Sequence, residues 1–571
     1  MGTFFRIFIL GIMVIAMFTM PGLSSASPFT QTNDTISLVS DTNASAWDFI
    51  GPPSSPDISS TFVDNEIFVQ FSPLEGLPNT EKKAAREKVH KKVGGSLKKT
   101  FNVDGFEDLH LVRIPEGIPL ESIILAYKND PLVEYAGPNY IISVLDSPPE
   151  NLTSGEGELL SIPDDPFFAD QWALLNTGQT VNGYTGTPGA DINIGDAWNI
   201  TKGSEAVIIA VIDTGIDTSH PDLSGNIWTN TQEIPGNYLD DDGNGYIDDY
   251  QGYDFIGMDG DPDDAYGHGT LCAGIIGASG NNGLGISGVN WNTRIMPLKC
   301  LDSQGFGSTA DAIEAINYAE QMGAEIISIS WGCSEYDPVL YEVLSRSPAL
   351  FICAAGNSAR DIDITPVYPA GYECDNIISV AASDQDDGLA SFSNWGEVSV
   401  DLAAPGVNIL TTSPSSTGNF YITASGTSMA APYVAGVAGL VKAGYPDATP
   451  FEMKTRILSS AEKITTLEGK AVTEGRLDAG KALDPLIPIP SPTPTQPPVT
   501  PTPTPEPQAG PLSISPVNPD FVEYMLHPYT NGTAEHGLGF IPPPFDSSYL
   551  KGMAVDFSGA HTFSFPSYYD L

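Results

Sequence analysis

The chain has 571 residues, 41% of them hydrophobic, enough for more than one domain with its own core. Its formal net charge is −47, from 71 Asp and Glu against 24 Lys and Arg, which excludes nucleic acid and anionic membrane surfaces as partners. Five cysteines leave at least one unpaired, and their connectivity is not readable from spacing.

Residues 1–26 carry Arg6, an apolar run and a small-residue end, Ser24-Ser25-Ala26. That is the pattern of a secretory signal peptide, so the expected location is extracellular, or the cell surface if the run is retained. Residues 27–56 are rich in Ser, Thr, Asn and Pro and are expected to be disordered. Between 57 and 146, Ile67–Phe71 reads as a strand, 80–93 as a helix, Leu109–Ile114 as a strand, 118–128 as a helix and Val133–Val144 as a strand. Eight of the 24 basic residues fall within Lys82–Lys99, a basic segment beside an acidic remainder. Residues 145–163 form a Gly-, Glu-, Ser- and Pro-rich connector.

Glu205–Ile212 is a continuous β-branched run, as expected for a strand buried on both faces. Asp213 follows at its C-terminal end, where a buried carboxylate needs a partner such as an imidazolium. Asp-Thr-Gly also serves aspartic proteases, which need two such carboxylates, and no second copy is present. Asp240, Asp242, Asn244 and Asp248 stand at positions 1, 3, 5 and 9 of a calcium loop, with Gly245 at the turn and Tyr246 offering a carbonyl. Position 12 is Gln251, so the expectation is an EF-hand-like loop holding a structural Ca2+ without the usual helix pair. Asp259, Asp261, Asp263 and Asp264 form a second acidic cluster, either a solvated loop or a metal site.

His268 lies between Gly267 and Gly269 and opens an apolar run to Gly277, with Cys272 one helical turn along. The chain lacks His-Glu-x-x-His, which removes the zinc-peptidase reading. Ala349–Ala355 reads as a strand ending in Gly356-Asn357, whose side-chain amide could donate to an oxyanion. Ser428 precedes a helix reaching Lys442, with Pro432 expected in its first turn. A serine hydroxyl is a weak nucleophile until a base takes its proton, and Asp, His, Ser is a chain order that can supply base and orienting carboxylate. Residues 485–511 read as a polyproline spacer, and 512–571 as a short aromatic and proline-rich segment of unassigned role.

Asp213-Thr-Gly, Gly-His268-Gly-Thr, Ala-Ala-Gly-Asn357 and Gly-Thr-Ser428-Met-Ala together resemble the subtilisin-like serine proteases, or subtilases, over residues 164–484. The resemblance implies an α/β fold with a mostly parallel sheet covered by helices on both faces. It implies a small α+β inhibitory prodomain over 57–146, removed by a self-inflicted cut within 145–163. It implies a secreted, monomeric serine endopeptidase acting on proteins or peptides, with no catalytic cofactor. His268 would be the base, Asp213 its orienting group, Ser428 the nucleophile and Asn357 the oxyanion donor. Gly305, Phe306 and Gly307 would pair with an extended substrate, and Ser330, Trp331, Gly332, Ala354 and Gly356 would wall the pocket for an apolar or aromatic residue before the cut. Tyr368-Pro369 matches the family's cis proline, and Gly475–Leu483 its closing helix. Two other classes stay open: a silent scaffold that only binds, and an adhesion protein working through 512–571.

Overall fold

The computed structural model describes residues 61–74, 76–103, 106–145 and 162–487. The expected signal peptide, the leader, nearly all of the connector and linker, and the C-terminal segment lie outside the described residues.

The first module contains β1 (Phe62–Phe71), α1 (Asn79–Val93), β2 (Ser96–Val103), β3 (Phe106–Arg113), α2 (Leu120–Lys128) and β4 (Val133–Val144). The strands pair antiparallel in the order β4-β1-β3-β2. The edge strand β2 is the one whose residues the apolar pattern does not mark: Lys98 and Lys99 interrupt it, and an edge tolerates such charges. Successive β1 residues face opposite ways. Ile67 and Val69 pack with Val89, Ile123 and Tyr127 of the two helices. Phe68 turns the other way and shares a core with Ala310 and Ile313 of the following domain.

That domain carries β5 (Gly203–Asp213), α3 (His268–Gly277), β6 (Asn292–Lys299), β7 (Phe306–Ser308), α4 (Thr309–Gln321), β8 (Ile326–Ile329), β9 (Trp331–Gly332), α5 (Pro338–Arg346), β10 (Leu350–Ala354), β11 (Ile377–Ser383), β12 (Leu402–Pro405) and α6 (Thr427–Gly444). Strands β12-β11-β10-β8-β5-β6 run parallel at the heart of a nine-stranded sheet. The core on one face includes residues of α3 and α6, and that on the other includes residues of α4 and α5. This is the expected α/β sandwich. All five cysteines are free thiols. Among the described residues no helix is long and apolar enough to cross a membrane.

The first module buries a polar chain in its core. His90 Nε2 lies 2.8 Å from His110 Nδ1, and His90 Nδ1 lies 3.0 Å from the Tyr127 hydroxyl. The Phe71 ring meets both imidazoles edge-on. Burial lowers both histidines to about 4; the neighbouring His90 and Arg86 charges push His110 the same way, while Glu87 opposes the shift of His90. Two neutral rings can share one hydrogen, whereas two cations in that space would repel.

A lowered folded-state pKa means that the unfolded module takes up protons first as pH falls. The module is therefore fully stable above the ordinary histidine value of 6.5 and loses stability as pH falls toward about 4. Amide exchange in the full chain carrying Ser428→Ala should show β1 protection falling at least about tenfold relative to β5 between pH 7 and pH 4.5. Equal protection at both pH values would contradict this.

Candidate active site

Asp213 ends β5, the strand between β6 and β8, and its backbone turns sharply through Gly215. His268 is the first residue of α3. Its Nδ1 lies 2.7 Å from Asp213 Oδ1, and both side chains are about 1% exposed. Thr214 N–H donates to the same carboxylate oxygen at 2.8 Å. A Cβ on Gly269 would meet the Gly215 carbonyl at 2.1 Å, so glycine is what lets α3 approach the Asp213 turn.

Ser428 is the second residue of α6, which starts at Thr427. Pro432 is therefore the sixth helical residue and not part of the first turn. The correction has a chemical consequence. Proline has no N–H for the carbonyl four residues earlier, which is that of Ser428. The Ser428 carbonyl instead accepts from Ser330 Oγ at 3.2 Å and from Cys272 Sγ at 3.5 Å. The Ser428 backbone is thus tied to β8–β9 and to α3. The Cys272 sulfur also lies within 4.8 Å of ligand atoms of both Asp213 and His268.

Asn357 follows β10. Its Oδ1 accepts from Thr427 N–H and Thr427 Oγ1, each at 2.9 Å, which leaves Nδ2 facing the cleft. Behind it stands buried Asn394, a residue not singled out from sequence: its Nδ2 donates to Ala355 O and its Oδ1 accepts from Ser358 and Arg360 N–H. A methyl on Gly426 would lie 2.7 Å from Ser428 Oγ, 3.2 Å from Asn357 Nδ2 and 3.5 Å from the Leu145 carbonyl oxygen. The three groups therefore surround one point. The Ser428 hydroxyl is buried and has no hydrogen-bond partner.

The cleft is filled by the end of β4. Ser143, Ile142 and Ile141 pair with Phe306, Gly307 and Ser308 on one side, and Val144 and Ser143 pair with Trp331 and Gly332 on the other. Val144 N–H donates to Gly305 O at 3.1 Å, and Leu145 N–H to Ser330 O at 3.3 Å. Asn357 Nδ2 donates to Leu145 O at 2.9 Å. The Leu145 side chain lies over Gly332, whose added Cβ would sit 3.6 Å from Leu145 Cδ1.

The expected pocket residues divide by role. Gly305, Phe306, Gly307, Ser330 and Gly332 meet β4 through backbone or by being small. Trp331 also meets β4 through its backbone, while its fully buried side chain donates its indole N–H to Ile212 O at 2.9 Å. Ala354 lies in the core at the end of β10, and Gly356 in the turn before Asn357. The Tyr368-Pro369 bond is cis.

The residues of the expected calcium loop take several partners within the loop. Asp240 spends both oxygens on Gly243, Asn244 and Gly245 N–H groups, and Asp248 caps Gly236, Asn237 and Tyr238. The carboxylates that converge are Glu233, Asp242 and Asp249, with ligand atoms within 4.8 Å of one another. Asn244 Nδ2 bridges Asp242 and Asp249, while the Tyr246 ring packs edge-on against Tyr318. Glu233 is 5% exposed, and its Oε2 has no partner. In the second acidic cluster Asp264 is 2% exposed and surrounded by hydrogen-bond donors.

The Subtilase family model matches residues 204–480, and the Fervidolysin N-terminal prodomain model matches residues 53–139. The thermophilic serine proteinase of Bacillus sp. (strain AK1) is 35% identical over 432 residues, covering 74% of this chain and 88% of that protein. Thermitase of Thermoactinomyces vulgaris is 37% identical over 290 residues, covering 50% of this chain and 91% of its own. The fold resembles the crystal structure of fervidolysin from Fervidobacterium pennivorans, with a TM-score of 0.57 at 23% identity, over 75% of this chain and 62% of that one. The chain belongs to the subtilase family of serine endopeptidases.

Proposed function

We propose that this subtilase is a secreted zymogen that cuts its own Leu145–Asp146 bond, with Asp213, His268 and Ser428 as triad and Asn357 as oxyanion donor. One observation carries the reading: β4 lies in the cleft as a third strand, with the Leu145 carbonyl on Asn357 Nδ2. Ser428 Oγ attacks that carbonyl carbon as His268 Nε2 takes its proton. Asp213 holds the imidazole by Nδ1 and stabilises the imidazolium. The oxygen gains negative charge against Asn357 Nδ2. His268 then returns the proton to the Asp146 amine, leaving Leu145 as an ester on Ser428. Water, deprotonated by the same base, releases the acid.

The product end stays paired to β7 and β9, which makes the 57–146 module an intramolecular inhibitor. Substrate choice follows the same register. A leucine-sized aliphatic residue precedes the cut, and a buried aliphatic stands fourth before it, where Ile142 is fully enclosed. Residues 1–26 direct export, 164–484 form the monomeric catalytic unit, and 485–511 separate it from 512–571.

Intact mass of the full chain should show loss of everything through Leu145, with Ser428→Ala remaining whole. A cut elsewhere in the connector would refute the register, and equal processing of Ser428→Ala would refute the nucleophile.

Calcium is proposed as the structural ion, held by Glu233, Asp242 and Asp249 in place of the set expected from spacing. Three carboxylates in mutual reach, one with a buried unpartnered oxygen, fit a hard divalent cation. Saturating calcium, about a hundredfold over Kd, should raise Tm by about 4 °C over chelated protein. In Glu233→Gln this gain should shrink. An identical gain in Glu233→Gln would exclude this ligand set.

A further inference from the structure

One buried carboxylate close to the triad has no part in the mechanism above. Asp264 lies four residues before His268 and is 2% exposed. Five donors reach it. Its Oδ1 accepts from Thr214 Oγ1 at 2.8 Å, Gly267 N–H at 2.6 Å and Tyr266 N–H at 3.2 Å. Its Oδ2 accepts from Thr270 Oγ1 at 2.7 Å and Thr270 N–H at 2.9 Å.

These donors belong to two different elements. Thr214 is the residue after Asp213, at the end of β5. Gly267 and Thr270 belong to the N-cap and first turn of α3, which His268 opens. The links are doubled. Thr214 Oγ1 also accepts from Gly269 N–H at 3.0 Å, and Thr270 Oγ1 accepts from Asp217 N–H at 3.0 Å. The carboxylate therefore satisfies helix N–H groups that would otherwise be orphaned, at the end of the dipole that favours negative charge. None of these partners pairs with β4 in the cleft.

We propose that Asp264 is a positioning residue: by clasping Thr214 and the first turn of α3 it sets the placement of His268 against Asp213, and so the rate of proton transfer to and from Ser428. The inference rests on the triad reading. Small displacements of a reacting group are costly in rate, whereas substrate affinity depends on β7, β9 and Asn357, which Asp264 does not touch.

The test uses the matured enzyme from the full chain, with active sites counted by a stoichiometric phosphonofluoridate and turnover followed on a soluble peptide amide. Asp264→Asn keeps the shape but places an amide against five donors. It should lower kcat per titrated site by at least about tenfold, with KM within about twofold of native. Thr214→Val, which removes the hydroxyl bridge alone, should lower kcat at least about threefold with KM again unchanged, and Thr214→Ser should restore it.

A residue that merely holds the fold would lower Tm and the number of titratable sites and leave kcat per site intact; that result overturns the proposal. If Asp264→Asn fails to mature, Thr214→Val decides by the same criterion. Failure of the triad reading is distinguishable, because it would appear as retained cleavage in Ser428→Ala.

Discussion

The structure is organised around a charge that must be kept in a dry place. Asp213 and His268 meet at 2.7 Å with almost no solvent contact. A carboxylate at the end of a buried strand is costly unless it is hydrogen-bonded and paired. Its neighbours reflect that demand. Glycine at 269 lets α3 come close enough to bring the imidazole in, and Thr214 supplies a backbone donor to the carboxylate. Helix α6 then has to deliver Ser428 to the same spot. Its loss of one helical hydrogen bond at Pro432 is what frees the Ser428 carbonyl to be anchored by Ser330 and Cys272.

The N-terminal module and the cleft share one strand. Strand β4 is one continuous element: its first half completes the sheet of the N-terminal module, and its second half completes the cleft. Folding of the module and filling of the cleft are thus coupled through a single strand. Charge helps on the flank, where Lys99 from the basic segment pairs with Glu314 of the acidic domain. Partly exposed pairs of this kind contribute little each, so backbone pairing and the apolar contact of Phe68 with the α4 face dominate.

Much of this was legible in the sequence because local rules carry it. A β-branched run ending in Asp, a histidine between glycines and a serine before an apolar helix each announce their place on an element. What was not legible is placement that depends on distant partners. Trp331 meets Val144 in the cleft through its backbone, while its indole N–H donates to Ile212 O in the core. The calcium spacing marks Asp240 and Asp248, which accept loop N–H groups, but it does not reveal that Glu233 and Asp249 converge with Asp242. Asp264 reads as one more acid in a cluster, because nothing local reveals that Thr214 and Thr270 will close over it. Leu145 carries no signal of its own; the register of β4 against β7 and β9 singles it out.

The central claim is that the Leu145 carbonyl sits where its oxygen will become an anion. The rate of self-cleavage in Asn357→Ala, followed by intact mass from the start of folding, tests it most directly. The account predicts the same Leu145–Asp146 bond cut about a hundred- to a thousandfold more slowly, the loss known for such a donor in subtilisin. Cleavage at the native rate would contradict it.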